Sequence, residues 1–213
     1  NRAEDGGKIL NDNGIITMAN TSYNDEVEIY GNYEGKNGAK IKMNTLWNAP
    51  GDANGTNSQS DILKILGGGT SKYGFATGVT EIIPIALDGR VNLIEGNIQK
   101  VAQAVNTVPV VVADKAAAGT FIGKAKTTGA GEVQLTSKLN SNGQRVFFWT
   151  LNAIDGTNPY DDGTSKNYRL GKARTILNSS VAGYINTAKV NMDSGFTSLS
   201  TLHERRGENA LDV

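Results

Sequence analysis

The sequence predicts a mainly β fold that ends in a long α-helix. Three observations predict it: a turn-rich composition, short apolar segments recurring roughly every 10–15 residues, and a change of apolar period after Leu170. Of 213 residues, 26 are glycine, asparagine is frequent, and 38% are hydrophobic, a mix that suits short strands and turns better than a helical bundle. Basic and acidic residues number 21 each, so the net charge is zero and no nucleic-acid partner is expected.

The first strands are "KIL", "GIITMA", "DEVEIYG" and "AKIKMNTLW", with "NDNG", "NTSYND" and "EGKNG" read as the turns between them. Val27 with Ile29, and Ile41 with Met43, sit two apart and so share a strand face. Strands at this spacing suit a sandwich, a barrel or the rungs of a β-solenoid. Residues 48–60 form a polar loop, and "SDILKILGGGTSKYGFATGVTEIIPIAL" gives two or three strands broken at Gly67, Gly68 and Gly69. Three glycines in a row mark a corner that needs positive φ or close backbone approach. Ile98, Val101, Ala102 and Val105 have helical spacing and predict a short helix over 97–105.

"TVPVVVAD", "GTFIGKAKTT", "GEVQLTS" and "QRVFFWTLNA" continue as strands, and 154–167 is a turn-rich linker. Beyond Leu170, Leu177, Val181, Tyr184, Ala188, Met192, Phe196, Leu199 and His203 step by three or four, the stripe of one helix. Gly183, Gly195 and many Ser, Thr and Asn weaken it, so it needs a surface to hold it.

Candidate chemistry is sparse. The chain has no cysteine, which excludes disulfides, thiolate nucleophiles and cysteine-ligated metals. No run reaches the ~20 apolar residues of a membrane helix, and no signal peptide opens the chain, which is expected to be an internal piece of a longer protein. His203, the one histidine, neighbours Glu204, Ser198 and Ser200, but adjacent helical residues point apart and form no triad. "GTFIGKAK" lacks the spacing of a phosphate loop and reads as a strand, while "GDANG" and "DGTNPYDD" lack that of a calcium loop. Asp25/Glu26 and Asp161/Asp162 are adjacent pairs in turns, with no acid and base set at a glycosidase separation. Trp47 and Trp149 read as core. No enzymatic activity, cofactor or metal is expected.

The order of these segments resembles a known family. "IYGNYEGKNGAKIKMNTLW", "SDILKILGGGTSKYGFATGVTEI", "VPVVVAD", "GTFIGKAK", "GEVQL" and "RVFFWTLNA" are similar to the C-terminal passenger region of type V autotransporters, through Tyr33, Gly35, Ser60, Asp61, Leu63, Ile65, Gly67, Phe148, Trp149 and Leu151. "NYRLGKARTILNSS" through "STLHERRGEN" resembles the junction before that family's barrel, through Tyr168, Arg169, Leu202, His203, Glu204, Arg205 and Gly207. The barrel strands are absent, and residues 84–106 are longer than the family's usual corner.

The resemblance implies the final rungs of a right-handed β-helix at 1–28, a β-sandwich-like autochaperone cap at 29–153, a linker at 154–169, and an α-helical junction to a barrel at 170–213. It implies that residues 25–153 are a folding nucleus, with Ile29, Tyr33, Ile41, Leu63, Ile65, Gly67, Val111, Phe121, Phe148, Trp149 and Leu151 at its centre. The implied function is to nucleate and cap folding of an adhesin-type passenger during secretion across the outer membrane. The implied partners are the chain's own upstream β-helix and its own outer-membrane barrel, with host or bacterial surface receptors reached through the whole protein. The implied place is the cell surface, with the helix in the barrel lumen. The alternative is a glycan- or protein-binding adhesin module that uses loops 48–60 and 154–167 and has no chaperone role.

Overall fold

The computed structural model describes residues 7–47, 59–69, 71–89, 108–125, 131–150, 152–153 and 174–175, and 180–194 without 182, 185, 186 and 188. The chain divides into two compact units, residues 1–176 and 177–213. The described part of the first is β; that of the second is helix. Among the described residues, no helix is long and apolar enough to cross a membrane.

Three successive segments follow one course. Strands β1 (Lys8–Asp12) and β2 (Ile15–Thr17) lie in a seven-stranded sheet, and β3 (Glu26–Tyr30) lies in a six-stranded one. The chain then returns: β4 (Asn32–Leu46) pairs in parallel with β1 and β2, the short β5 (Gln59–Ser60) pairs antiparallel with β4, and β6 (Ile62–Leu66) pairs in parallel with β3. A third pass sets β7 (Phe75–Ile85) parallel to β4 and β8 (Pro109–Ala113) parallel to β6. The first sheet ends with β9 (Lys115–Ala116) and β10 (Phe121–Ile122), both parallel to β7. The second changes sense: β13 (Arg145–Thr150) pairs antiparallel with β8, β12 (Val133–Leu139) with β13, and β11 (Lys124–Ala125) with β12. The fold is thus mainly β, built of mixed sheets.

Alternation decides which side chains enter the core, and parallel register stacks them in columns. Ile9 stacks on Tyr33 and Ala76. Ile16 stacks on Ile41 and Ile82, and Val27 on Leu63 and Val111. Tyr33, Ile41, Leu63, Ile65, Ile82, Val111, Phe121, Phe147 and Trp149 are buried in one cluster, with Ile16 and Ile29 packed against it.

Several expectations are corrected. "EGKNG" is no turn between strands; it lies inside β4, whose register against β7 shifts between Gly35 and Ala39. Asn37 (φ 51) and Gly38 (φ 88) bend the strand there, and the left-handed Asn13 (φ 53) bends the chain between β1 and β2. The asparagine–glycine signal was real, but it marks a stacked corner where pairing continues on both sides. Glu26 opens β3 rather than sitting in a turn.

The boundary expected at 28/29 falls inside β3, and parallel pairing runs on to β8 and β10. The cap strands are not a separate sandwich: β11, β12 and β13 extend the sheet of β3, β6 and β8. Within the stretch expected to be helical from 170, Arg174–Thr175 form instead a strand, β15, that pairs with β14 (Asn152–Ala153). Within the helix, Tyr184 and Met192 of the expected stripe are exposed, as is Val190, and Thr187 Oγ1 donates to the Gly183 carbonyl, a bond that weakens helices. The expected helix at 97–105, Leu151, the linker at 154–169, and Tyr168, Arg169, Leu202, His203, Glu204, Arg205 and Gly207 lie outside the described residues.

Candidate functional site

The end of the stack closed by the β12–β13 hairpin is packed with aromatic rings. Its aromatic side chains come from distant parts of the sequence. Tyr33 stacks on Phe121 at 5.7 Å between centroids, Phe121 meets Phe147 edge-on at 5.0 Å, and Trp149 meets Trp47 edge-on at 5.7 Å. Such pairs add roughly 0.5–1.5 kcal/mol each beyond the area they bury. Trp149 lies so close to Gly123 that a Cβ there would sit 2.7 Å from the indole, so glycine is required where β10 passes into β11. The indole Nε1 atoms of Trp47 and Trp149 are buried without hydrogen-bond partners.

Phe148 packs apart from these rings. It is buried but outside the main cluster, with Lys138 Nζ 5.1 Å from its ring centroid. Phe147 and Trp149, two apart, share the strand face that enters the main cluster. That spacing was the signal that could have found Phe147.

Buried polar groups tie one pass of the chain to the next. The Tyr33 hydroxyl lies 2.9 Å from Thr80 Oγ1 and accepts from Asn11 Nδ2 at 3.3 Å, so three passes meet at one phenol. Gly35 makes room for this, since a Cβ there would lie 2.0 Å from Thr80 Oγ1. At one corner Asp61, fully buried, accepts from the Asn44 amide at 2.7 Å and the Asp25 amide at 3.1 Å. Burial pushes its carboxyl above the ordinary aspartate range, and the two amides oppose that less strongly. At the other corner Asp114 Oδ2 accepts from the Gly67 and Gly74 amides at 2.7 and 3.1 Å, and Oδ1 accepts from Gln144 Nε2 at 2.8 Å. Asp114 therefore fastens the triple-glycine corner to the hairpin turn. Asn11, Asn44, Thr80, Asp114 and Gln144 were not singled out from the sequence, because asparagine, aspartate and threonine there look like ordinary turn formers.

Among the described residues, two open clefts adjoin the seven-stranded sheet. One, of about 590 Å³, opens on the side of β7 away from β4, where Thr77, Gly78 and Val79 lie between the residues paired with β9 and those paired with β10, and is walled by Phe75, Val79 and Lys115. The other, about 360 Å³, adjoins the β4 bend at Asn37 and includes Val79, Glu81 and Ile122. Among the described residues, no group of three or more His, Asp or Glu side chains is placed to hold a metal ion.

Of the expected nucleus residues, Tyr33, Leu63, Ile65, Val111, Phe121 and Trp149 meet in one cluster, and Gly67 sits at the corner bonded to Asp114. Compared with known protein families, curated proteins and solved structures, the chain finds no match.

Proposed function

We propose that this chain caps and nucleates a longer β-stack: the last rungs of a right-handed β-helix, closed by a hairpin, in the autochaperone region of an autotransporter passenger. One observation carries the reading, the asymmetry of the two ends. At one end β12 and β13 turn antiparallel and close the six-stranded sheet over Phe121, Phe147 and Trp149. At the other, among the described residues, β1, β2 and β3 pair on one side only. Ile9 and Val27, which stack on the buried Tyr33 and Leu63, are 43% and 42% exposed there.

A stack of this kind is stabilised rung by rung, and a bare end leaves both backbone groups and an apolar row unsatisfied. A closed end that folds first offers the next rung a template. The chain is then a part of a surface protein secreted across an outer membrane, and the helix joins the stack to a barrel. Its partners are the upstream coils and that barrel, and its role is folding rather than catalysis. The binding-module alternative rests on loops 48–60 and 154–167, of which only Gln59 and Ser60 are described, and no observation favours it.

Trp149→Ala tests the reading. It removes a fully buried indole and is expected to destabilise the chain by about 3–5 kcal/mol in urea unfolding. In the whole secreted protein it is expected to leave the passenger upstream of this region protease-sensitive at the cell surface, whereas Phe75→Ala, at an exposed position, leaves it protected. A passenger that folds and is displayed equally well with the destabilised Trp149→Ala cap rules the proposal out.

A further inference from the structure

The open end has a charge as well as an apolar row. On β3, Ile29 packs against the core and Val27, two residues before it and in register with Leu63, shares that face, so Glu26 and Glu28 lie on the opposite one. Both carboxylates lean on one cation. Lys64 of β6 bonds Glu26 and lies 3.7 Å from Glu28, whose other oxygen accepts from the Tyr30 hydroxyl. Asp25, just before the strand, adds a third carboxylate, held by the Asn20 amide and Ser22 hydroxyl. Two strand carboxylates against one lysine leave negative the edge of β3 that has no strand partner among the described residues. The β1 edge is balanced by contrast: Lys8 and Lys36 share Glu34, and Asp12 accepts from Asn37.

We infer that the occupant of the β3 edge is an extended, alternately apolar segment that pairs in parallel and presents a lysine or arginine outward beside Glu26 and Glu28. The inference rests on the reading of the open end given above and adds the chemistry of its partner. β6 already provides the pattern on the other side of β3: "ILKIL" stacks Leu63 and Ile65 on Val27 and Ile29 and delivers Lys64 to both glutamates. A strand of the same pattern on the free side would cover the half-exposed Val27 and supply the second cation. A second copy of this chain is the poorer occupant. Antiparallel pairing of β3 with itself, centred on Val27, sets Glu26 opposite Glu28, and like charges directly opposite destabilise a pair.

A labelled peptide copying residues 59–68, QSDILKILGG, and the same peptide with its lysine replaced by glutamate, test this by fluorescence anisotropy against the full chain. The lysine peptide is expected to bind at least tenfold more tightly, with the preference shrinking in high salt and in the Glu26→Gln/Glu28→Gln chain. The peptide comparison needs no change to the protein, so a misfolded variant does not blur it. Equal binding of both peptides overturns the charge requirement but leaves the open-end reading standing. Failure of both to bind overturns the two together. A concentration-dependent dimer in sedimentation that is lost on Val27→Lys assigns the edge to a second copy and overturns the inference.

Discussion

Asp61 has both carboxylate oxygens taken by backbone amides of Asn44 and Asp25, and none of its surface reaches solvent. Its position in chain and space suits a fixed acceptor that joins two corners, not an acid or base that must meet a substrate. Burial holds its pKa above the ordinary value of 3.8, with the nearby Asp25 charge adding a little. The folded state therefore keeps the proton to higher pH than the unfolded chain. The stabilising contribution is complete below about pH 3.8 and is lost as pH rises through the raised folded value. Glu34, bonded by Lys36 and Lys8, and Glu132, bonded by Gln134 and Lys124, are shifted the other way and lose stability as pH falls. Those groups are common to the unaltered chain and Asp61→Asn, so they cancel in a difference. The stability advantage of the unaltered chain over Asp61→Asn, from urea unfolding between acid and neutral pH, is expected to fall as pH rises. A difference that grows with pH contradicts the assignment.

At the scale of an element, β4 and β7 show how neighbours, rather than backbone angles, set the cost of a substitution. Gly78 (φ +73) and Gly143 (φ +74) share a left-handed conformation. A Cβ on Gly78 would lie 1.9 Å from the Gly35 carbonyl oxygen of the paired strand; on Gly143, in the β12–β13 turn, it would meet nothing within 4 Å. Gly143→Ala is expected to cost only the left-handed penalty of about 1–2 kcal/mol. Gly78→Ala carries that penalty and also parts β4 from β7, so its urea midpoint is expected well below that of Gly143→Ala. Equal midpoints would mean that the two strands separate without cost, against the register that stacks Gly35 on Gly78.

At the scale of the whole molecule, the strand segments and most of the core were legible in the sequence, while their pairing was not. Alternation in "DEVEIYG" and "AKIKMNTLW" located Ile29, Ile41 and Met43 correctly. Nothing local distinguishes a strand that pairs with its neighbour in sequence from one that pairs 24 residues on, as Ile9 does with Tyr33, or 25 on, as Ile16 does with Ile41. One repeat did carry that information: Asn13–Gly14 and Asn37–Gly38 bend successive passes at the same corner. The burial of Asn11, Asn44 and Thr80 stayed hidden because they are polar, and only the parallel stack places them inside. The outward Phe75, Val79 and Ile122 are the reverse case, apolar residues that the stack leaves on its surface. A cap that nucleates the stack requires order to spread from the closed end to the open one. Pulse-labelled hydrogen exchange during refolding measures this directly: amides of β8, β12 and β13 are expected to gain protection first, and those of β1, β2 and β3 last. Protection that arises first in β1–β3, or in all strands at once, contradicts it.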